Sequence, residues 1–176
     1  MRSFFHTAVT LFALAAMVFT VGCSDTTTPS SEVEPEDSDV QLQVADRSEC
    51  GGFEPARKIA QAGSDETCVA WEYDGEGGMT LYHYNAGLNC CTELVATLHK
   101  QSDVITIEET ETGLYCHCLC LFDIEYELDG MTLPMYTLTI ETLYKPEGDA
   151  PISFEIDLVN NPTGAVCFER SDYPWE

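Results

Sequence analysis

Basic residues are what this chain has least of: Lys and Arg number 7 against 31 Asp and Glu, a formal net charge of −24. Neutralising phosphates and releasing their counterions takes clustered Lys and Arg, and the chain has no such cluster, so nucleic acid is excluded as a ligand. The same imbalance favours solubility, repels anionic membrane surfaces and attracts cations. Signatures of catalysis are missing as well. There is no GxSxG, no HExxH, no Gly-rich phosphate loop between strand and helix, no EF-hand spacing and no CxxC. Carboxylate pairs such as Glu108-Glu109 and Asp123-Glu125 recur in so acidic a chain and do not single out an acid–base couple. The expectation is a protein that is not an enzyme and carries no cofactor.

The N-terminus reads as an export signal. Arg2 precedes an apolar run from Phe4 to Val21, interrupted only by His6, Thr7, Thr10 and Thr20. It closes on Thr20-Val21-Gly22-Cys23, which resembles the lipobox of bacterial lipoproteins. That resemblance implies removal of residues 1–22 and attachment of lipid to Cys23, which would hold the protein to a membrane. An uncleaved anchor fits less well, because the run is at the low end of bilayer-spanning length and ends at a small-residue cleavage site. Ser24 after the lipid-bearing cysteine fits export to an outer membrane, giving a periplasmic or surface location in the cell envelope. Residues 23–46, rich in Ser, Thr, Pro, Glu and Asp and without Lys or Arg, read as a flexible acidic tether. A docking tail for a basic partner is the alternative use of that segment.

The remaining residues, 47–176, suit one domain with a real core. Phe53 to Ala62, with Pro55 in its first turn and Gly63 behind it, predicts one short helix. Everything after it is strand and turn. Val69, Trp71 and Tyr73 alternate up to Asp74-Gly75-Glu76-Gly77-Gly78, and Met79 to Tyr84 resumes the alternation, which predicts a hairpin. Further strands are expected at 94–98, 104–109, 115–128, 135–144, 152–159 and 165–169, separated by Gly, Pro, Asn and Asp turns. About seven or eight strands without intervening helices indicate an all-β, antiparallel sandwich, with a closed barrel as the alternative. Phase predicts a core of Trp71, Leu81, Leu94, Leu98, Ile105, Ile107, Phe122, Ile124, Tyr126, Tyr136, Leu138, Ile140, Phe154, Ile156 and Leu158.

Apart from Cys23, eight cysteines remain: Cys50, Cys68, Cys90, Cys91, Cys116, Cys118, Cys120 and Cys167. An even number in an exported domain indicates disulfides, although eight cysteines allow on the order of a hundred connectivities. Cys116, Cys118 and Cys120 share the even phase of Phe122, Ile124, Tyr126 and Leu128, so all three are expected to face the core from one strand. Neighbours on that strand lie about 6.5–7 Å apart at Cα, at or beyond bridging range, so they should pair with other segments. Cys90 and Cys91 are the favoured partners for two of them.

Asn89-Cys90-Cys91, the strand Ile105 to Glu109, the CxCxC at 116–120 and Tyr173-Pro174-Trp175 together resemble a group of bacterial secreted lipoproteins that has no assigned activity. The resemblance spans roughly residues 66–176 and implies no functional residues.

Competing uses of these residues can be stated. Cys90, Cys91, Cys116, Cys118 and Cys120, with His83, could instead ligate a soft metal such as copper or zinc, although the spacing departs from zinc patterns. His83 is more simply a hydrogen-bonded sheet histidine, and His117 a surface residue. Asp74-Gly75-Glu76 could hold calcium. The favoured function is a non-enzymatic, lipid-anchored binding or structural module. Its partner would be a protein or glycan met at the loop end that contains Asp74 to Gly78 and the terminal aromatics.

Overall fold

A computed structural model describes residues 40–53, 60 and 62–171. The export signal, the lipid-bearing Cys23, most of the tether, nearly all of the expected helix and the terminal Tyr173 and Trp175 lie outside the described residues. Among those described there are nine strands: β1 Gln41–Arg47, β2 Glu66–Tyr73, β3 Met79–Asn89, β4 Thr92–Gln101, β5 Val104–Gly113, β6 Leu119–Asp129, β7 Met135–Glu141, β8 Ile152–Asp157 and β9 Thr163–Glu169. They form a five-stranded sheet in the order β1-β6-β3-β2-β9 and a four-stranded sheet in the order β4-β5-β7-β8. The fold is all-β and disulfide-stabilised, with two packed sheets, as the alternation requires.

Three features depart from the expected arrangement. Gln41–Arg47, read as tether up to residue 46, is a strand paired with β6, with a bulge between Leu42 and Val44. The chain leaves the four-stranded sheet after β5, crosses to the other sheet as β6 and returns as β7, so β5 and β7 run parallel while every other pair is antiparallel. And the strand expected at 115–128 begins only at Leu119, leaving Cys116 and Cys118 in an irregular connection.

The core lies between the sheets. Val69, Trp71, Leu81 and Leu88 come from β2 and β3, Phe122, Ile124 and Tyr126 from β6, and Ile105, Ile107, Tyr136, Leu138 and Ile140 from β5 and β7. Of the residues placed there by phase, Leu94, Leu98 and Phe154 are only partly buried, because β4 and β8 are sheet edges. β3 keeps odd positions inward through His83 and even positions inward from Ala86. The switch is made by a bulge at which Asn85 takes a left-handed φ of 59°, a conformation Asn tolerates better than most residues. Its amide nitrogen Nδ2 donates to the Gly63 and Glu66 carbonyls at 2.8 and 2.9 Å. Across the sheet, the Trp71 ring rests on Gly164 so closely that a Cβ there would collide with it.

A smaller cluster of Phe53, Cys68, Ala70 and Tyr84 covers part of the outer face of the five-stranded sheet. There Asp123, expected among the polar-face positions of its strand, is fully buried. Its carboxylate accepts the N–H of Phe53 at 2.8 Å and of Asn85 at 3.1 Å, tying the segment after β1 to the β3 bulge.

Candidate functional site

The described cysteines all pair: Cys50 with Cys120, Cys68 with Cys167, Cys90 with Cys118 and Cys91 with Cys116. Cys68 and Cys167 face each other on β2 and β9. The other three converge on the end of the sandwich where β3 passes to β4 and β5 returns to β6. Both connections cross from one sheet to the other, and the two bridges from Cys90 and Cys91 tie one crossing to the other. The expectation that these two cysteines partner the CxCxC is met. The expectation that all three of its cysteines face the core is not: Cys120 is buried, Cys116 half-buried and Cys118 exposed, because strand geometry begins only at Leu119.

Asn89, 4% exposed, is the polar centre of this clamp. Its Nδ2 donates to the Cys116 carbonyl at 2.7 Å, and its Oδ1 accepts from the N–H of Cys91 and of Cys116 at 3.1 and 3.2 Å. Cys90 N–H donates to the Cys118 carbonyl at 3.1 Å, and Arg47 donates to the Thr92 carbonyl at 2.8 Å. A loop so tied cannot fold its side chains away, and it presents Leu114 at 83% and Tyr115 at 63% exposure. Val95 and Leu143 are exposed near the same end. Beside them Tyr144 donates to Glu111 Oε2 at 3.0 Å. Partial burial, then the hydrogen bond to that carboxylate and its charge, push the Tyr144 phenol up to about 12.

Behind the clamp, between the sheets, lies a buried polar chain that sequence reading did not assemble. Thr67 donates to the Tyr84 carbonyl at 2.9 Å, so the 2.8 Å contact between Thr67 Oγ1 and His83 Nε2 uses a hydrogen on the imidazole. His83 Nδ1 lies 2.6 Å from Glu109 Oε1, which also accepts from Tyr126 at 2.5 Å. Burial, reinforced by the Glu109 carboxylate, pushes the Tyr126 phenol well above its usual value. Glu109 shares the odd phase of Ile105 and Ile107 on β5, so phase alone marks it as core-facing. The adjoining recess, walled by Thr67, His83, Asn85, Tyr144 and Arg170, holds roughly 10 Å³, about one water.

The spacing resembles a nucleophile, base and carboxylate in series, but the Thr67 proton points at a carbonyl and the recess beside it has room for about one water. Its chemistry is cohesive, since it joins β2 and β3 to β5 and β6 across the core. His83 is therefore the hydrogen-bonded sheet histidine, and His117 is exposed on the clamped loop.

The soft-metal set does not assemble. Every one of its five cysteines is in a bridge, and His83 lies opposite Ile124 while Cys120 lies opposite Leu88. A grouping of Glu66 with Cys68 and Cys167 likewise offers no thiolate, because those two sulfurs are bonded to each other. Asp74 is committed to its own turn, accepting the N–H of Glu76 at 2.7 Å and of Gly78 at 3.0 Å. β9 pairs Thr163 with Glu72 and Glu169 with Glu66, so it ends at the far end of β2 from the Asp74–Gly78 turn; Tyr173 and Trp175 lie outside the described residues.

No family model matches the chain, and no curated protein or solved structure is detectably similar to it.

Proposed function

We propose that the protein is a non-enzymatic, lipid-anchored binding module of the bacterial cell envelope, held to the membrane through Cys23, and that it recognises a protein partner with its disulfide-clamped end. The observation that carries this reading is the exposure of Leu114 and Tyr115 on a loop pinned by two disulfides and Asn89. Large apolar and aromatic side chains in water favour association, and a loop already ordered loses little entropy when bound. Leu114, Leu143 and Val95 are exposed at the same end as Tyr115, and aliphatic side chains beside one tyrosine suit an apolar protein pocket better than a sugar ring, which is held by stacked aromatics.

β1 pairs Gln41 with Asp129 and Arg47 with Ile124, so the chain joins the sandwich at the end opposite the clamp. The direction of the Thr67 proton, toward the Tyr84 carbonyl, supports a role other than catalysis.

Membrane fractionation and blue-native electrophoresis test the two halves of the proposal. Cys23→Ser is expected to release the protein from membranes. Leu114→Ser combined with Tyr115→Ser is expected to leave it membrane-bound but collapse its assembly to the size of the isolated chain. Retention of the Cys23→Ser protein on membranes, or an assembly of unchanged size in the loop variant, would defeat the corresponding half.

A further inference from the structure

We infer that β4 is a pairing edge through which two copies of this protein join, each β4 antiparallel to the other, so that the four-stranded sheets become one continuous sheet. The inference is independent of what the clamped loop binds.

Sheet edges expose unsatisfied backbone groups, and most edges in this fold are blunted. β1 carries a bulge and Asp46. β8 is only six residues long and bears Glu155 and Asp157. β9 holds Gly164 beneath the Trp71 ring and ends in Glu169. β4 is the least blunted, its charges Glu93 and Lys100 lying toward its two ends. It runs ten residues, Thr92 to Gln101, without Pro, Gly or a register shift against β5.

Two hydrogen bonds show which backbone groups face outward. Thr110 Oγ1 donates to the Val95 carbonyl from β5, and Arg47, on the other sheet, donates to the Thr92 carbonyl. Odd residues thus aim their main-chain groups at β5 and even residues aim theirs at the open edge. Among the described residues no strand pairs with that edge at Leu94, Ala96 or Leu98. The core is also unfinished here. The inward side chains Leu94, Ala96 and Leu98 are only partly buried, whereas Ile105, Ile107, Leu138 and Ile140 on the next two strands are sealed.

The occupant is chosen by charge. A net charge of −24 repels a second copy almost everywhere on the surface, yet β4 carries its single acid, Glu93, near one end and His99 near the other. Opposed residues of a continuous sheet share a face, so odd positions meet odd and even meet even. Centring Ala96 on Ala96 of the second copy sets Glu93 opposite His99, Leu94 opposite Leu98 and Val95 opposite Thr97, each twice. The sequence of this one strand is thus its own complement, as a two-fold interface demands. In the single chain His99 Nε2 sits 3.5 Å from Glu108 Oε2, with both side chains about half exposed or more, so it remains within reach of a second carboxylate.

Native mass spectrometry of the exported, disulfide-intact full chain released from non-ionic detergent, run over a concentration series, tests this. A dimer is expected that strengthens with salt. Glu93→Lys and His99→Glu should each weaken it roughly tenfold or more, the first by removing the carboxylate that faces His99 and the second by setting two carboxylates opposite one another. Combining Glu93→Lys with His99→Glu should restore it. All three variants change exposed side chains, and an unchanged melting temperature confirms their folding. A chain that stays monomeric throughout, a dimer indifferent to both single substitutions, or a double variant no better than the singles would overturn the inference.

Discussion

The two ends of the sandwich solve the same problem by different means. At the clamped end the chain passes between sheets twice, and covalent bridges plus the buried Asn89 hold the connections. At the opposite end short acidic turns hold themselves. Asp74 caps the N–H groups of Glu76 and Gly78, Asp157 accepts those of Val159 and Asn160, and Met131 N–H reaches the Gly77 carbonyl. Both ends expose apolar side chains: Leu114 and Tyr115 at the first, and Val104, Leu133, Met135 and Val159 at the second. Only at the first are they mounted on a loop that two disulfides fix in place. The lesson is that covalent stabilisation is concentrated where a loop must be both irregular and rigid.

The sharpest way to break the contrast is to remove the bridges at one end and the cap at the other. Replacing Cys90, Cys91, Cys116 and Cys118 together by Ser should lower stability by about 3–6 kcal/mol in urea unfolding, because two loops then open in the denatured chain. The sequence separations of 28 and 25 residues place both bridges in the range where such constraint is substantial. If the quadruple variant unfolds with the native midpoint, the clamp is not what holds this end.

Next in size is the polar chain that joins the sheets. Glu109→Ala would leave His83 Nδ1 and the Tyr126 hydroxyl buried without the carboxyl group that both contact. A loss of about 3–5 kcal/mol is expected, comparable to opening the clamp, because a broken buried pair strands its remaining member. Thermal unfolding of Glu109→Ala beside the cysteine variant ranks the two. A change no larger than a surface substitution would show that the sheets cohere through apolar packing alone.

Smallest is the acidic end. The Asp74 carboxyl is held below its usual range by the N–H groups of Glu76 and of Gly78 and Gly77, with burial opposing them weakly. A carboxylate whose folded pKa lies below its unfolded value adds stability above the unfolded value and loses it as pH falls through the folded one. Asp74→Ala should therefore reduce stability slightly at neutral pH and converge with the native protein below about pH 4. Parallel curves throughout would deny the carboxylate its role in the turn.

Much of this fold was legible in the sequence because its strands alternate cleanly. The hairpin of β2 and β3 appears where Asp74 to Gly78 interrupts two alternating runs, with Tyr73 opposite Met79. The even phase of β6 places Phe122, Ile124, Tyr126 and Leu128 correctly in the core. The same phase misplaced Cys116 and Cys118, since period two starts in the letters before the strand itself begins at Leu119. β3 reads as stopping at Tyr84 because the Asn85 bulge reverses its phase, and a reversed pattern looks like a broken one. The parallel pairing of β5 with β7 has no local signature at all, because it follows from β6 crossing to the other sheet. Glu109 was within reach of phase reasoning, but in so acidic a chain a carboxylate at a core position is easily taken for one more solvated charge. Asp123 was not, because what buries it is the segment after β1.

The most direct test of the binding account compares the two ends in living cells, with a photo-crosslinking amino acid placed at Leu114 or at Val159. The account predicts a discrete adduct to another envelope protein from position 114, abolished by Tyr115→Ser, and none from position 159. Adducts of equal yield from both ends, or none from position 114 in the folded, disulfide-intact protein, would contradict it.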